Sequence, residues 1–353
     1  MTEGITTPGA GWRRADGPGE RKPPKRYRKG GGRRGRSAEQ AMVDDAEFTS
    51  YYGRPIIKPP VWKTPDVPLY LFLGGAAGSS AILAAVADLT DRPTLTRVGR
   101  LVAGGGSIAS VGFLIHDLGR PERFLHMLRV IKLTSPLSVG TYILSPFSAA
   151  AGATAAVELL DWFPRLKRFG GVVSALFGGP MATYTAVLLA NTAVPSWHAP
   201  YKQLPFVFAG SAMAAGGGLT MIFTPVDEAG PSRKMAIAGA TIELAAMHKV
   251  ENDHGIVSEP YHEGRAGTLM RAAKTCTAAG AGLTAVAGRT RIGAVASGVL
   301  LAAGSLLTRF GVFDAGMASA RDPKYTVVPQ RERMAAREAG QQVGQGEGRS
   351  VTR

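Results

Sequence analysis

Apolar and polar positions divide the chain into three parts. Residues 1–64 and 321–353 are polar and charged, and the stretch between them is built largely from Ala, Gly, Leu, Val and Ile. Within that middle part, long apolar runs fall at about 67–87, 98–116, 137–160, 169–190, 204–224, 234–250, 268–287 and 292–312. A helix rises about 1.5 Å per residue, so roughly 20 apolar residues cross a hydrocarbon core about 30 Å thick. Eight such runs joined by short loops leave little polar surface for water. The pattern therefore predicts an all-α integral membrane fold, with eight transmembrane helices over 65–320. A basic, disordered or extended tail precedes them over 1–64, and a polar tail follows over 321–353. The sixth run carries the weakest signal, because Glu243 interrupts it and Lys249 closes it.

Composition changes this picture in two ways. The mean hydropathy of +0.04 averages over a greasy centre and charged ends. The formal net charge of +15 is concentrated in segments such as RKPPKRYRKGGGRRGR at 21–36. Positive residues stay on the cytoplasmic side, so an even number of crossings with basic tails predicts a cell-membrane protein with both termini cytoplasmic. The basic segment has one interleaved aromatic, Tyr27, and no recognisable binding fold, so it reads as an orientation anchor touching anionic lipid rather than as a nucleic-acid site. Arg13 and Arg14 form a pair, but no apolar stretch follows until about residue 67, so the first helix is expected to insert as an uncleaved anchor. The single cysteine, Cys276, cannot close an intrachain disulfide or supply the usual set of thiolates for an iron–sulfur cluster. With no HExxH or CxxC spacing, no metal site is expected in this chain.

Small residues predict how the helices pack. Gly74 and Gly78 form a GxxxG pair in the first helix, and Gly216, Gly217 and Gly218 lie together in the fifth. Small faces let helix backbones approach closely in lipid. In the second helix Gly105, Ala109 and Gly112 make a stripe, and His116 continues it by one turn. That predicts His116 pointing into the bundle near the membrane boundary, with Asp117 about 100° round the helix. Tyr184 shares a face with Leu188 and Asn191. Glu243 shares one with Ala236, Gly239 and Ala246, so an inward, partnered carboxylate is expected. Counting crossings places Tyr70, His116, Asp117, Tyr184, Asn191 and His248 toward the tail side, with Glu243 nearer the middle. The longer loops, 117–136, 191–203 and 251–266, fall on that same side.

A weak internal repeat accompanies this polarity. Pro68-Leu-Tyr-Leu-Phe-Leu-Gly opens the first helix and Pro205-Phe-Val-Phe-Ala-Gly opens the fifth, while the second and sixth helices both end near a histidine. Two related four-helix halves would produce this, and so would chance similarity among Gly/Ala-rich helices. The most charged internal stretch, HDLGRPERFLHMLRV at 116–130, closes the second helix with His116 and Asp117 and turns at Gly119 and Pro121. A short amphipathic segment carrying Arg120, Arg123 and Arg129 follows. Its guanidiniums suit either the lipid headgroup level or a docking partner.

Several motifs together resemble the NrfD / polysulfide-reductase membrane-subunit family. They are PLYLFLGGAAGSS at 68–80, DLGRPERFLHMLRVIKLTSPLSVGTYIL at 117–144, GPMATYTAVLLANTAVPSW at 179–197, LPFVFAGSAMAAGG at 204–217 and DPKYTVVPQ at 322–330. The resemblance spans about 65–330 and is most specific from DLGRP to SPLSVG. It implies an eight-helix subunit that holds no haem and no metal and exchanges electrons with membrane quinone, ubiquinone and menaquinone being indistinguishable. It also implies two partners: a ferredoxin-like [4Fe–4S] subunit and a molybdopterin oxidoreductase that carries the terminal chemistry. The family position carried over most directly is the Tyr of the YT pair, Tyr184; Asp66 and Tyr70 are approximate matches at the start of the first helix.

On that basis Tyr184, His116, Tyr70 and Asn191 are expected to hold the quinone, and Asp117 or Glu243 to relay protons. Tyr and His can hydrogen-bond ring oxygens, and His or a carboxylate can carry protons. Arg120, Arg123 and Arg129 are the expected docking residues. The structural readings stay open beside these: an interfacial histidine, an ordinary buried tyrosine, and a Glu243 that only stabilises the bundle. Three other functions also remain: a haem anchor using His116 and His248, an ion- or proton-translocating subunit, and a pure membrane anchor without its own quinone site.

Overall fold

The computed structural model describes residues 55–161 and 163–350, with side chains described as far as 337. The basic segment 21–36 therefore lies outside the described residues. The helices run α1 (Asp66–Leu89), α2 (Pro93–Leu118), α3 (Glu122–Met127), α4 (Pro136–Leu160), α5 (Pro164–Ala190), α6 (Pro195–His198), α7 (Leu204–Phe223) and α8 (Gly230–Asn252). A 3₁₀ segment (Gly255–Tyr261) leads into α9 (Gly264–Ala287), α10 (Arg291–Arg321) and α11 (Lys324–Ser350). No strand occurs among the described residues. The chain places Pro in the first turn of α2, α4, α5, α6, α7 and α8, where its missing N–H has no intrahelical partner to lose.

All eight predicted apolar runs are helices, and most extend a turn or so beyond the run at one or both ends. The extensions carry charge, as in Arg97 and Arg100 of α2 and Arg165, Lys167 and Arg168 of α5. Apolar length marks the lipid-buried part, while the backbone bonds of a helix continue into the polar boundary. Six helices, α1, α2, α4, α5, α7 and α10, are long and apolar enough to cross a membrane. The other two, α8 and α9, have the length but carry more charge, with Arg233, Lys234, Glu243, Lys249 and Glu251 on α8 and Arg265, Arg271 and Lys274 on α9. The polar segment expected as a tail after 321 is helical over Lys324–Ser350.

The eight long helices ahead of α11 form two halves with the same neighbours. In the first, α1 packs on α2 and α5, and α4 packs on α2 and α5. In the second, α7 packs on α8 and α10, and α9 packs on α8 and α10. The halves meet mainly through α1 and α5 against α7. The repeat expected from the sequence is thus present as a repeat of packing. Close backbone approach sets both halves: a Cβ on Gly78 would stand 2.5 Å from the Gly178 carbonyl oxygen, and one on Gly218 would stand 2.9 Å from that of Gly298. Only glycine permits those crossings.

The two ends of the bundle are closed differently. At the end where α1 finishes and α2 begins, Arg100 pairs with Glu158 at 3.0 Å and Asp88 at 3.5 Å. There Glu228 ties the halves together, accepting from Thr94 Oγ1 at 2.8 Å and from the Leu95 N–H at 3.0 Å in the first turn of α2. At the other end Trp62 stacks on Trp197, whose indole donates to the Val312 carbonyl at 2.7 Å. The buried Tyr261 donates to the Ser196 carbonyl at 2.6 Å, so α6, the 3₁₀ segment and α10 form one plug. This second end carries the candidate site.

Candidate functional site

Asp66 and Tyr70 lie one turn apart at the start of α1, so both side chains share a face, and both residues are buried, at 5% and 4% exposure. The Asp66 carboxylate meets His116 at the end of α2, Oδ2 to Nδ1, at 2.7 Å. The buried carboxylate thereby holds an imidazole whose side chain is 75% exposed. The next residue, Asp117, accepts from the Lys63 N–H at 2.9 Å and lies close enough to Tyr70 for the two to interact electrostatically. Ser110 donates to the Tyr70 carbonyl at 3.0 Å and fixes α2 against this turn of α1. Tyr184, which comes from the last turns of α5, lies close enough to Tyr70 for the two phenols to interact. Asp66, Tyr70, His116, Asp117 and Tyr184 therefore form one cluster at the tail-side end of the first half.

The Tyr184 ring is positioned by a residue absent from the sequence-based site. A Cβ on Gly140 of α4 would lie 2.5 Å from Cε2 and 2.8 Å from Cδ2 of Tyr184, so the ring packs directly on the α4 backbone. Tyr184 also lines an apolar groove of about 370 Å³ between α4 and α5, with Pro136, Val139, Ile143 and Val187. Phe124 of α3 packs on the same cluster of side chains as Tyr184 and Val111, and the Tyr142 hydroxyl donates to the Leu128 carbonyl at 2.7 Å just beyond α3. The amphipathic segment expected after Pro121 is thus α3, laid over the end of the first half.

The direction of His116 differs from the expectation. A Cβ on Gly105 or Gly112 would meet nothing within 4 Å, so the stripe that His116 extends faces outward. The packed face of α2 is instead Ala103, Gly104, Ser107 and Ser110. Small residues surround this stretch of α2, so their presence does not single out one face. His116 joins the cluster through Asp66 at the helix end, and not by pointing inward.

Other expected residues lie elsewhere. Asn191 caps α5 and is exposed, and among the described residues its side chain makes no hydrogen bond into the cluster. Arg120, Arg123 and Arg129 are exposed around α3, and Arg123 donates to the Leu118 carbonyl at 3.1 Å. Glu243 is buried at 2% exposure, but in the second half, where Thr308 donates to its Oε1 at 2.6 Å. Near it lies Arg309, fully buried on α10. His116 and His248 belong to different halves and are already bonded, to Asp66 and Asn252 respectively, so they do not form a facing axial pair. No group of three or more His, Cys, Asp or Glu side chains able to hold a metal occurs among the described residues.

Sequence reasoning named Asp66 only as an approximate family match and gave it no role, and it missed Gly140. Asp66 is one turn ahead of Tyr70, and that i, i+4 spacing was the signal available for it. Gly140 gave no signal beyond its place in SPLSVG.

The profile of the family described as polysulphide reductase, NrfD matches residues 56–237, just over half of the chain. The chain belongs to the NrfD family. The match takes in α1 to α7 and the start of α8, and so includes every member of the Asp66–Tyr184 cluster. No curated protein sequence matches the chain. Membership in NrfD and six membrane-length apolar helices make this an integral membrane protein of the kind that serves as the membrane subunit of an oxidoreductase.

Proposed function

We propose that this NrfD-family chain is the quinone-interacting membrane subunit of a multisubunit oxidoreductase, with its site at Tyr70, Tyr184, His116 and Asp117. In this reading all eight long helices ahead of α11 cross the membrane and both termini are cytoplasmic. The observation that carries it is two neighbouring phenols, Tyr70 and Tyr184, the second of which lines an apolar groove, beside an acid–histidine couple. The donor set fits a quinone, since phenol hydroxyls can hydrogen-bond its ring oxygens and Pro136, Val139, Ile143 and Val187 suit its hydrocarbon tail.

When bound, a quinone supplies two-electron, two-proton redox chemistry. The chain's own residues then divide the remaining work. Tyr184 and Tyr70 orient the ring, and Gly140 keeps the Tyr184 ring in place. His116 is exposed to water and held by buried Asp66, so it can pass protons between solvent and the carboxylate. Asp117, close to Tyr70, offers a second proton route. Electrons pass between the site and a cluster-bearing iron–sulfur partner docked over α3, where Arg123 and Arg129 are exposed beside Arg120. A molybdopterin subunit carries the terminal reaction.

The test is turnover of the isolated complex with a soluble quinol. Tyr184→Phe should slow it by about ten-fold or more, the scale of one lost hydrogen bond that matters in the transition state. His116→Ala should slow it with a changed pH profile. Wild-type rates and wild-type inhibitor affinity in both variants would overturn the proposal and leave a pure anchor as the better reading.

A further inference from the structure

The middle of the second half holds a second ionisable cluster that shares no residue with the quinone site. Thr308 donates to Oε1 of Glu243, so the other oxygen, Oε2, is the one left free, and it has no protein partner. Ser211 of α7 and Thr277 of α9 lie near enough to bear on the carboxyl group. Ser211 already donates to Ser305 at 2.8 Å, and the Thr277 hydroxyl has no partner. Arg309 of α10 is the other charged group bearing on Glu243 among the described residues, and the two make no direct ion pair, since Glu243 Oε2 and Arg309 Nε and Nη1 have no partner.

Arg309 is instead anchored independently of the carboxylate. Its Nη2 donates to the Phe208 carbonyl at 2.9 Å, and the guanidinium lies 3.8 Å from the centre of the Phe208 ring. Its Nε and Nη1 are buried without partners. A guanidinium held by a carbonyl and a ring keeps its place whether the nearby carboxyl is ionised or neutral. A permanent structural salt bridge would place the two groups in contact, because a buried pair is stable only with close geometry. Four buried polar atoms on these three interacting residues, Glu243 Oε2, Thr277 Oγ1 and Arg309 Nε and Nη1, have no protein partner. A buried water commonly takes two to four such partners.

We propose that Glu243, Thr277 and Arg309 form a buried water-binding site in which the Glu243 carboxyl takes up and returns a proton, separately from the Tyr70–Tyr184 site. The proton sits on Oε2, since Thr308 occupies Oε1, and it exchanges with the water held by Thr277 and Arg309. Uptake leaves a neutral acid beside a guanidinium that Phe208 still holds. Release restores a carboxylate facing the Arg309 charge. No other co-reactant is involved.

Infrared difference spectroscopy of the protein in lipid nanodiscs tests this without any quinone. A buried carboxylic-acid C=O band should appear, shift on transfer to D₂O, and vanish in Glu243→Gln. Thr277→Val should keep the band at a changed frequency, and Arg309→Met should move its titration to higher pH, because loss of the cation disfavours the carboxylate. Thermal unfolding of each variant identifies any that fail to fold, and for those Thr277→Val still decides. A Glu243 that stays ionised at every pH, or a band insensitive to D₂O and to Thr277→Val, would overturn the proposal. Because no quinone enters the measurement, that failure would leave the quinone site untouched, and loss of the quinone site would leave this one standing.

Discussion

In the first half α1 crosses α5 where Gly78 meets Gly178, and in the second α7 crosses α10 where Gly218 meets Gly298. The neighbours of each helix are the same in both halves. Their polar groups are not. The first half keeps Asp66, Tyr70, His116, Asp117 and Tyr184 at one end, where His116 is open to water. The second keeps Glu243 and Arg309 midway along the helices, at 2% and 0% exposure. Groups at an end can be solvated and reached by a partner or a lipid-soluble ligand. Groups in the middle depend on their neighbours or on buried water, and Thr308 of α10 bonds Glu243 while hydroxyls from α7 and α9 lie near it. One packing scheme thus supports two kinds of site, and the difference lies in the depth at which ionisable residues were placed.

The shared crossings offer the most severe way to break the comparison. Gly178→Leu and Gly218→Leu each force a side chain into a facing backbone, and each should destabilise the protein by about 3 kcal/mol. Thermal unfolding in detergent should show comparable losses for the two. A large loss in one half and none in the other would mean that the halves are not equivalent scaffolds.

The next effect separates the halves by chemistry. Tyr184→Phe in the first half should cut quinol turnover about ten-fold while leaving the unfolding temperature nearly unchanged. Gly140→Ala should do both, slowing turnover and costing about 1–3 kcal/mol, because the added methyl meets the Tyr184 ring. Stopped-flow turnover and unfolding on the same samples distinguish the two outcomes. If Gly140→Ala keeps full turnover, the position of the Tyr184 ring does not matter to the site.

Much of this could be seen in the sequence because apolar length is a property of one dimension. All eight long runs became helices, and the amphipathic segment after Pro121 became α3. What the sequence hid are relations between distant residues. Asp66 and His116 are 50 positions apart, and Glu243 and Thr308 are 65 apart. Arg309 sat inside the last apolar run, at 292–312, where its company of Leu, Ala and Gly concealed a buried charge. His116 was aimed wrongly because Gly, Ala and Ser occupy nearly every face of α2 between 103 and 112, so periodicity had no contrast to work with. The outward stripe gives a smaller test of that lesson. Gly105→Ala and Gly112→Ala add a methyl that meets nothing within 4 Å, so they should stabilise α2 by about 0.5 kcal/mol through helix propensity alone. Destabilisation by either would show that this face is covered after all.

The smallest expected effect lies outside both halves, where α11 is tied to the 3₁₀ segment by Lys324 and Glu259 at 2.9 Å. The hydrogen bond from Lys324 holds the Glu259 carboxyl below the usual glutamate range. A carboxylate whose folded pKa is lowered contributes its stabilisation above the ordinary glutamate pKa and loses it as pH falls through the folded value. Both side chains are about a third exposed, so the attraction is screened and should amount to a few tenths of a kcal/mol. Protection from amide exchange at the start of α11, corrected for the intrinsic pH dependence of exchange, should therefore fall slightly in acid and in Glu259→Gln, and the variant should show no further acid dependence there. If exchange is as fast at neutral pH in the wild type as in the variant, this pair does not hold α11, and the segment after 321 is fixed by the packing of Tyr325 against the bundle end instead.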